Sequence, residues 1–203
     1  MSSLNLKSLF QSSNGCRDKF LSRLFGIFNE DIVRTWCNDP RSPYENVGRP
    51  TIKPATVRKG HTLDFALRER QTESIFVSEM KCELEYDQYK YLVLTSPDQL
   101  EHHKGAAFQV FLDIARNHHI YPITIDAKTA EVNGAILVWG HCTEEGRARV
   151  CKHYGFHTVL SLQDIINDLQ AWKNEEYVKF LDQRQEWCKE LFENLRAGND
   201  KDR

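Results

Sequence analysis

Asp64, Glu79 and Lys81, two carboxylates and an ammonium, are the charged residues of this sequence best placed to act together on a substrate. Asp64 lies in HTLDFALRE, and the other two lie in SEMKCELEY. In the second stretch Glu79, Lys81, Glu83 and Glu85 take every second position, with Met80, Cys82, Leu84 and Tyr86 between them. On a strand, such alternation sends one set to each face. The charged set is then either the wet face of an ordinary strand or a carboxylate and an ammonium held over a substrate.

The strand read over residues 74–86 favours the second view. Its even positions are mostly apolar. Its odd positions begin apolar, with Ile75 and Val77, and turn charged at Glu79. A solvent-facing strand would be polar on that face from its start. The partner strand, residues 62–68, alternates Leu63, Phe65 and Leu67 with polar residues and Ala66, so Asp64 must meet an odd-numbered residue. A turn centred between Gln71 and Thr72 puts Asp64 opposite Glu79. A shift of one pleat puts it opposite Lys81. The second register makes a cross-strand ion pair worth under about 1 kcal/mol. The first sets two carboxylates together, which costs stability unless a cation or proton intervenes. It suits a hard divalent ion such as Mg²⁺. No turn dipeptide decides between the two.

Elements must be placed around this patch. Residues 18–37 repeat apolar side chains at helical spacing, with a break at Gly26 and a second piece capped by Asn29. Residues 51–58 read as a short strand weakened by Pro54. Residues 97–118 read as one helix capped by Ser96, so His102 and His103 fall on its surface. Residues 120–125 read as a short strand. GAILVWG, residues 134–140, reads as a buried strand. A helix over 143–153 is capped by Thr143 and stopped by Gly155. A strand follows over 157–160, and helices run from Ser161 to about Leu195 with an interruption near Trp172. The antiparallel meander and the strand–helix–strand half predict an α/β fold with a mixed sheet flanked by helices.

Asp64, a polar turn and then Glu79-Met80-Lys81 on the next strand resemble the PD-(D/E)xK nuclease superfamily, and the order of elements over residues 18–160 is similar to it. Asp64 follows Leu63 where the name of the superfamily has proline. The resemblance implies a restriction-endonuclease-like core over residues 1–160, with a C-terminal helical extension, 161–203, packing on the core or on a partner. It implies Mg²⁺- or Mn²⁺-dependent hydrolysis of a nucleic-acid phosphodiester, DNA in the first instance. Asp64 and Glu79 would hold the metal, joined by Glu30 on the first helix or by Asp31. Lys81 would orient or deprotonate the attacking water and stabilise charge on the phosphate. The alternatives are a non-catalytic module of the same fold that binds nucleic acid or protein, and an α/β enzyme of another class in which these charges form an ion-pair network.

The chain has 203 residues and a net charge of −2, so it is no polycation. Its bases cluster locally: Arg49, Lys53, Arg58 and Lys59 form the segment expected to meet phosphates. No stretch reaches the roughly 20 apolar residues of a membrane helix. No secretory signal is evident, and the six scattered cysteines make no CxxC, so reduced thiols and a cytoplasmic or nucleoid-associated protein are expected. His141, Cys142, Cys151, His153 and His157 suggest zinc only loosely, because Gly155 breaks the shared face. Apolar residues on the C-terminal helices, among them Trp172, Trp187 and Leu191, serve as core or as a homodimer or protein-partner surface.

Overall fold

GAILVWG lies inside the main sheet, with a strand hydrogen-bonded on either side. All six residues of Gly134–Trp139 are buried, as an apolar strand covered on both faces requires. The structure, a computed structural model, describes residues 4–55 and 58–197. It opens with α1 (Leu6–Phe10), α2 (Gly15–Gly26) and α3 (Asn29–Asn38). Strands β1 (Tyr44–Asn46), β2 (Pro50–Ile52), β3 (His61–Thr62), β4 (Phe65–Glu69), β5 (Ile75–Lys81) and β6 (Val93–Leu94) follow, then a 3-10 turn, Pro97–Leu100, and α4 (Ala106–Arg116). The second half comprises β7 (Ile123–Ile125), β8 (Lys128–Thr129), β9 (Gly134–Trp139), β10 (His141–Cys142), α5 (Glu144–Tyr154), β11 (Thr158–Ser161), α6 (Leu162–Ala171) and α7 (Glu175–Ala197).

The main sheet runs β1-β4-β5-β9-β11. Its β1, β4 and β5 are antiparallel, and β5, β9 and β11 are parallel. This is the mixed α/β sheet expected from the meander and the crossover. Phe65, Leu67, Phe76, Met80, Ile136 and Val138 face a core shared with α1, α3 and α6. Val77, Ala135, Leu137 and Trp139 face the opposite core, filled by α4 and α5. Helices therefore cover both faces. Residues after Ser161 begin inside the molecule: Leu162, Ile165, Ile166 and Leu169 of α6 and Tyr177 of α7 are buried in the first core. Further along, α7 turns Trp187, Leu191 and Leu195 to the surface. No helix of the described residues is long and apolar enough to cross a membrane.

Five expected elements differ, one of them the 74–86 strand, which stops at Lys81. The 62–68 strand is broken at Leu63 and Asp64. The Leu63 amide donates to the Pro50 carbonyl, at 3.0 Å, which draws Leu63 to a second sheet, β3-β2-β7-β8, and into the opposite core from Phe65 and Leu67. The 120–125 strand shortens to β7 and pairs antiparallel with β2 in that sheet, so it takes no part in the parallel half. Strand 51–58 shrinks to β2, ending before Pro54; residues 56–57 lie outside the described residues. The 97–118 helix is two elements. Gln99 caps the start of the first: its Oε1 accepts from the Thr95 and Ser96 amides, and its Nε2 donates to the Val93 carbonyl, tying the turn to β6. The chain then passes Lys104-Gly105 before α4 starts.

Candidate functional site

The register of β4 and β5 pairs Phe65 with Ser78 and Arg68 with Ile75. Continued by one residue, it sets Asp64 opposite Glu79. Of the two registers open in the sequence, the structure takes the one that opposes the carboxylates. The turn accounts for this: the Glu69 amide donates to the Ser74 carbonyl, and Glu73, at φ 60°, supplies the left-handed residue that closes it. Asp64 stands just before β4, and its Oδ2 accepts the Met80 amide at 2.9 Å. A side chain thus continues the ladder where the strand has stopped, and it fixes the carboxylate beside β5.

Glu79 is 8% exposed, rare for a carboxylate. Burial, then the negative charge of Asp64, push its carboxyl above the ordinary range, although Lys81 Nζ lies 2.6 Å from its Oε1 and works the other way. Lys81 also stands over the Phe108 ring of α4, its Nζ 5.8 Å from the centroid. Arg49 reaches the same patch: its Nη2 is 3.6 Å from Asp64 Oδ1, and its Nε donates to the Leu63 carbonyl at 3.3 Å. The patch is two opposed carboxylates, an ammonium and a guanidinium at one end of the sheet. Its oxygen donors fit a hard divalent cation, and its cations fit a phosphate.

The charged alternation of SEMKCELEY does not persist as a strand. The strand ends at Lys81, not Tyr86, and Glu83, Asp87, Gln88 and Tyr89 have positive φ. Beyond Trp139 the neighbouring chain reaches Gly140, whose missing Cβ would lie 3.2 Å from the Cys82 carbonyl oxygen. The later acids find partners off the sheet. Glu85 takes a two-pronged ion pair from Arg23 of α2, both contacts 3.1 Å. Glu83 turns to His103 Nε2, 3.0 Å away, and His102 Nε2, 3.5 Å away. Burial alone would raise the Glu83 carboxyl, but the two histidines outweigh it and hold it low.

The remaining expected residues are distributed as follows. Glu30 stands in the first turn of α3 and pairs with Arg34, 3.2 Å away; among the described residues no ion pair or hydrogen bond joins it to Asp64 or Glu79. Asp31 pairs with Arg184 of α7 at 3.4 Å. Lys53, Arg58 and Lys59 are exposed, and among the described residues none has an ionic partner. His102 and His103 are not on a helix surface but in a turn, with ring edges inside. Two adjacent histidines just past a capped Pro-x-x-x turn were the only sequence signal for them. The loose zinc set falls apart: His157 stacks on Phe76, with centroids 4.2 Å apart, and Cys142 faces Arg147. All six cysteines are free. Compared with protein-family models, with curated proteins and with solved structures, the chain matches none.

Proposed function

We propose that the protein is a divalent-metal-dependent nuclease that hydrolyses a nucleic-acid phosphodiester, DNA in the first instance, in the cytoplasm. The observation that carries this reading is the opposition of Asp64 and Glu79 across β4 and β5, with Lys81 on the same strand. Two opposed carboxylates in a poorly solvated place repel each other, and Lys81 and Arg49 each touch only one oxygen of the pair, which leaves oxygen donors for a hard divalent ion. Asp64 and Glu79 would hold Mg²⁺ or Mn²⁺. When bound, the ion supplies Lewis-acid charge at the phosphate and activates water. Lys81, beside Glu79, would orient the attacking water or stabilise charge on a phosphate oxygen. Arg49 contacts the Asp64 carboxylate at the inner end of the basic segment, and Lys53, Arg58 and Lys59 guide the backbone of the substrate. A second reading, binding without cleavage on the same scaffold, draws support from the Lys81–Glu79 contact, which already neutralises the ammonium.

Glu79→Gln and Lys81→Ala separate the readings. In Mg²⁺ or Mn²⁺ the wild type should cleave labelled DNA. Both variants should lose at least about a hundredfold of that rate, as expected when a charged catalytic group is removed. Duplex binding without metal should persist in both. Metal-free Glu79→Gln should melt no lower than wild type, because an amide of the same shape removes the repulsion with Asp64 and the cost of burying a charge. Binding with no cleavage in the wild type favours the second reading. A marked fall in melting temperature with cleavage intact returns Glu79 and Lys81 to an ordinary ion pair.

A further inference from the structure

His102 and His103 follow the Pro97–Leu100 turn, and their rings go inward. Both ring nitrogens of His102 and Nε2 of His103 are buried and make no well-aligned hydrogen bond, although the two Nε2 atoms lie 3.5 Å and 3.0 Å from the Glu83 carboxylate. Buried polar nitrogens are normally paired, so this group calls for an explanation. The anion they face is Glu83, and one donor atom from each of the three residues lies within 4.8 Å of the others. The rings are held in place by aromatic walls. His102 stacks on Tyr86 and Tyr91, with centroids 4.3 Å and 5.1 Å away. His103 packs on Phe108 at 4.8 Å and meets Trp139 edge-on at 6.1 Å. Such support keeps ligand directions fixed before any ion arrives.

Two imidazoles and a carboxylate select differently from two carboxylates. Mg²⁺ takes oxygen donors and keeps much of its water. Imidazole nitrogen suits zinc and its first-row neighbours, and a His, His, Glu set leaves a fourth position open to water. We propose that Glu83, His102 and His103 bind one divalent ion of the zinc class, and that the ion clamps the turn at residues 101–105 to the chain leaving β5. This site is separate from the Asp64–Glu79 pair and stands whether or not that pair cleaves anything. Its ligands come from two irregular segments, 83 and 102–103, which few backbone hydrogen bonds join.

The test is zinc titration calorimetry on the full chain in excess Mg²⁺. The expected result is one equivalent of Zn²⁺ bound by wild type, at least tenfold weaker in His102→Ala, His103→Ala and Glu83→Gln, and unchanged in Asp64→Asn and in His118→Ala/His119→Ala. X-ray absorption at the zinc edge of the wild type, which needs no variant to fold, should count two imidazoles and no sulfur. Tryptic cleavage after the exposed Lys104 should slow when Zn²⁺ is added. The proposal is overturned by no Zn²⁺ uptake over Mg²⁺, by affinity that survives His102→Ala/His103→Ala, by loss of binding in Asp64→Asn, or by sulfur in the first shell. Unchanged cleavage after Lys104 would remove the clamp.

Discussion

Two nearly buried carboxylates show opposite uses of the same group. Glu79 faces another acid and is held above its ordinary range. Asp39 faces a base: its Oδ2 lies 2.6 Å from Arg41 Nη2, its Oδ1 accepts the Arg41 amide at 3.0 Å, and Oδ2 also accepts from Asn174 Nδ2 at 2.8 Å. The Arg41 hydrogen bond, first among these contacts, holds the Asp39 carboxyl well below the usual carboxylate range against the opposing effect of burial. Asn174 in turn caps α7 by accepting the Tyr177 amide at 2.7 Å, so Asp39 fastens the end of α3 to the start of the last helix. A depressed acid stabilises the fold while it is charged. Its contribution is full above the unfolded value, near 3.8, and disappears as pH falls through the folded one. Asp39→Asn should therefore lower stability at pH 7 by about 1 kcal/mol, a modest figure because the Arg41 side chain is half exposed and screened. Urea unfolding repeated at about pH 3 should show the gap between variant and wild type narrowing. A gap that widens in acid would show that some other group carries the pH dependence.

At the scale of elements, legibility in the sequence followed local chemistry. The helix after Thr143 could be read because its punctuation is local: Thr143 Oγ1 accepts the Gly146 amide at 3.0 Å, and Gly155 takes φ 84° just past the end. GAILVWG and Ser161 were equally plain. The break at Leu63 and the division of residues 97–118 could not be read, since both involve contacts outside the segment concerned. Pro50 claims Leu63, and the Gln99 side chain reaches Val93. The same limit applies to the site. Alternation of apolar and polar residues put Asp64 and Glu79 on neighbouring strands, but the register came from the turn, and the inward rings of His102 and His103 depend on walls from Tyr86, Tyr91 and Trp139. Gly146 tests one such contact. In a helix, Gly→Ala ordinarily stabilises by about 0.5–1 kcal/mol. A Cβ at Gly146 would lie 2.3 Å from the Leu94 carbonyl oxygen and 2.7 Å from Thr95 Cα, both backbone atoms that cannot rotate away. Gly146→Ala should destabilise by about 1–3 kcal/mol, the usual cost of overpacking. Gly26→Ala, where nothing lies within 4 Å, should be neutral or slightly stabilising. Thermal melts should place Gly146→Ala below wild type and Gly26→Ala level with it or above, and a stabilised Gly146→Ala would mean that α5 is not pressed on β6.

For the whole molecule, a net charge of −2 gives no general attraction to a polyanion, so binding must come from where the bases stand. The acids are drawn into pairs over much of the surface: Glu45 serves Arg68 and Arg70, Glu85 serves Arg23, and Asp31 serves Arg184. Lys53, Arg58 and Lys59 are left exposed beside the small sheet, and Arg49 leads from them to Asp64. This arrangement makes the salt dependence of binding a measure of location. Each phosphate neutralised by a base releases condensed counterions, and the slope of log K against log salt is about −0.9 per contact on duplex DNA. Lys53→Glu combined with Lys59→Glu should weaken duplex binding, measured without divalent metal, and should flatten that slope by about 1.8 if both residues touch phosphate. Arg49 is left intact in this variant, because its contact with Asp64 would mix site geometry into the result. Lys179→Glu, an equally exposed base far along the chain on α7, should lower affinity only slightly and leave the slope unchanged. Equal slopes for wild type and the double variant would exclude these two lysines from the interface, and a flattened slope in Lys179→Glu would move the interface to the last helix.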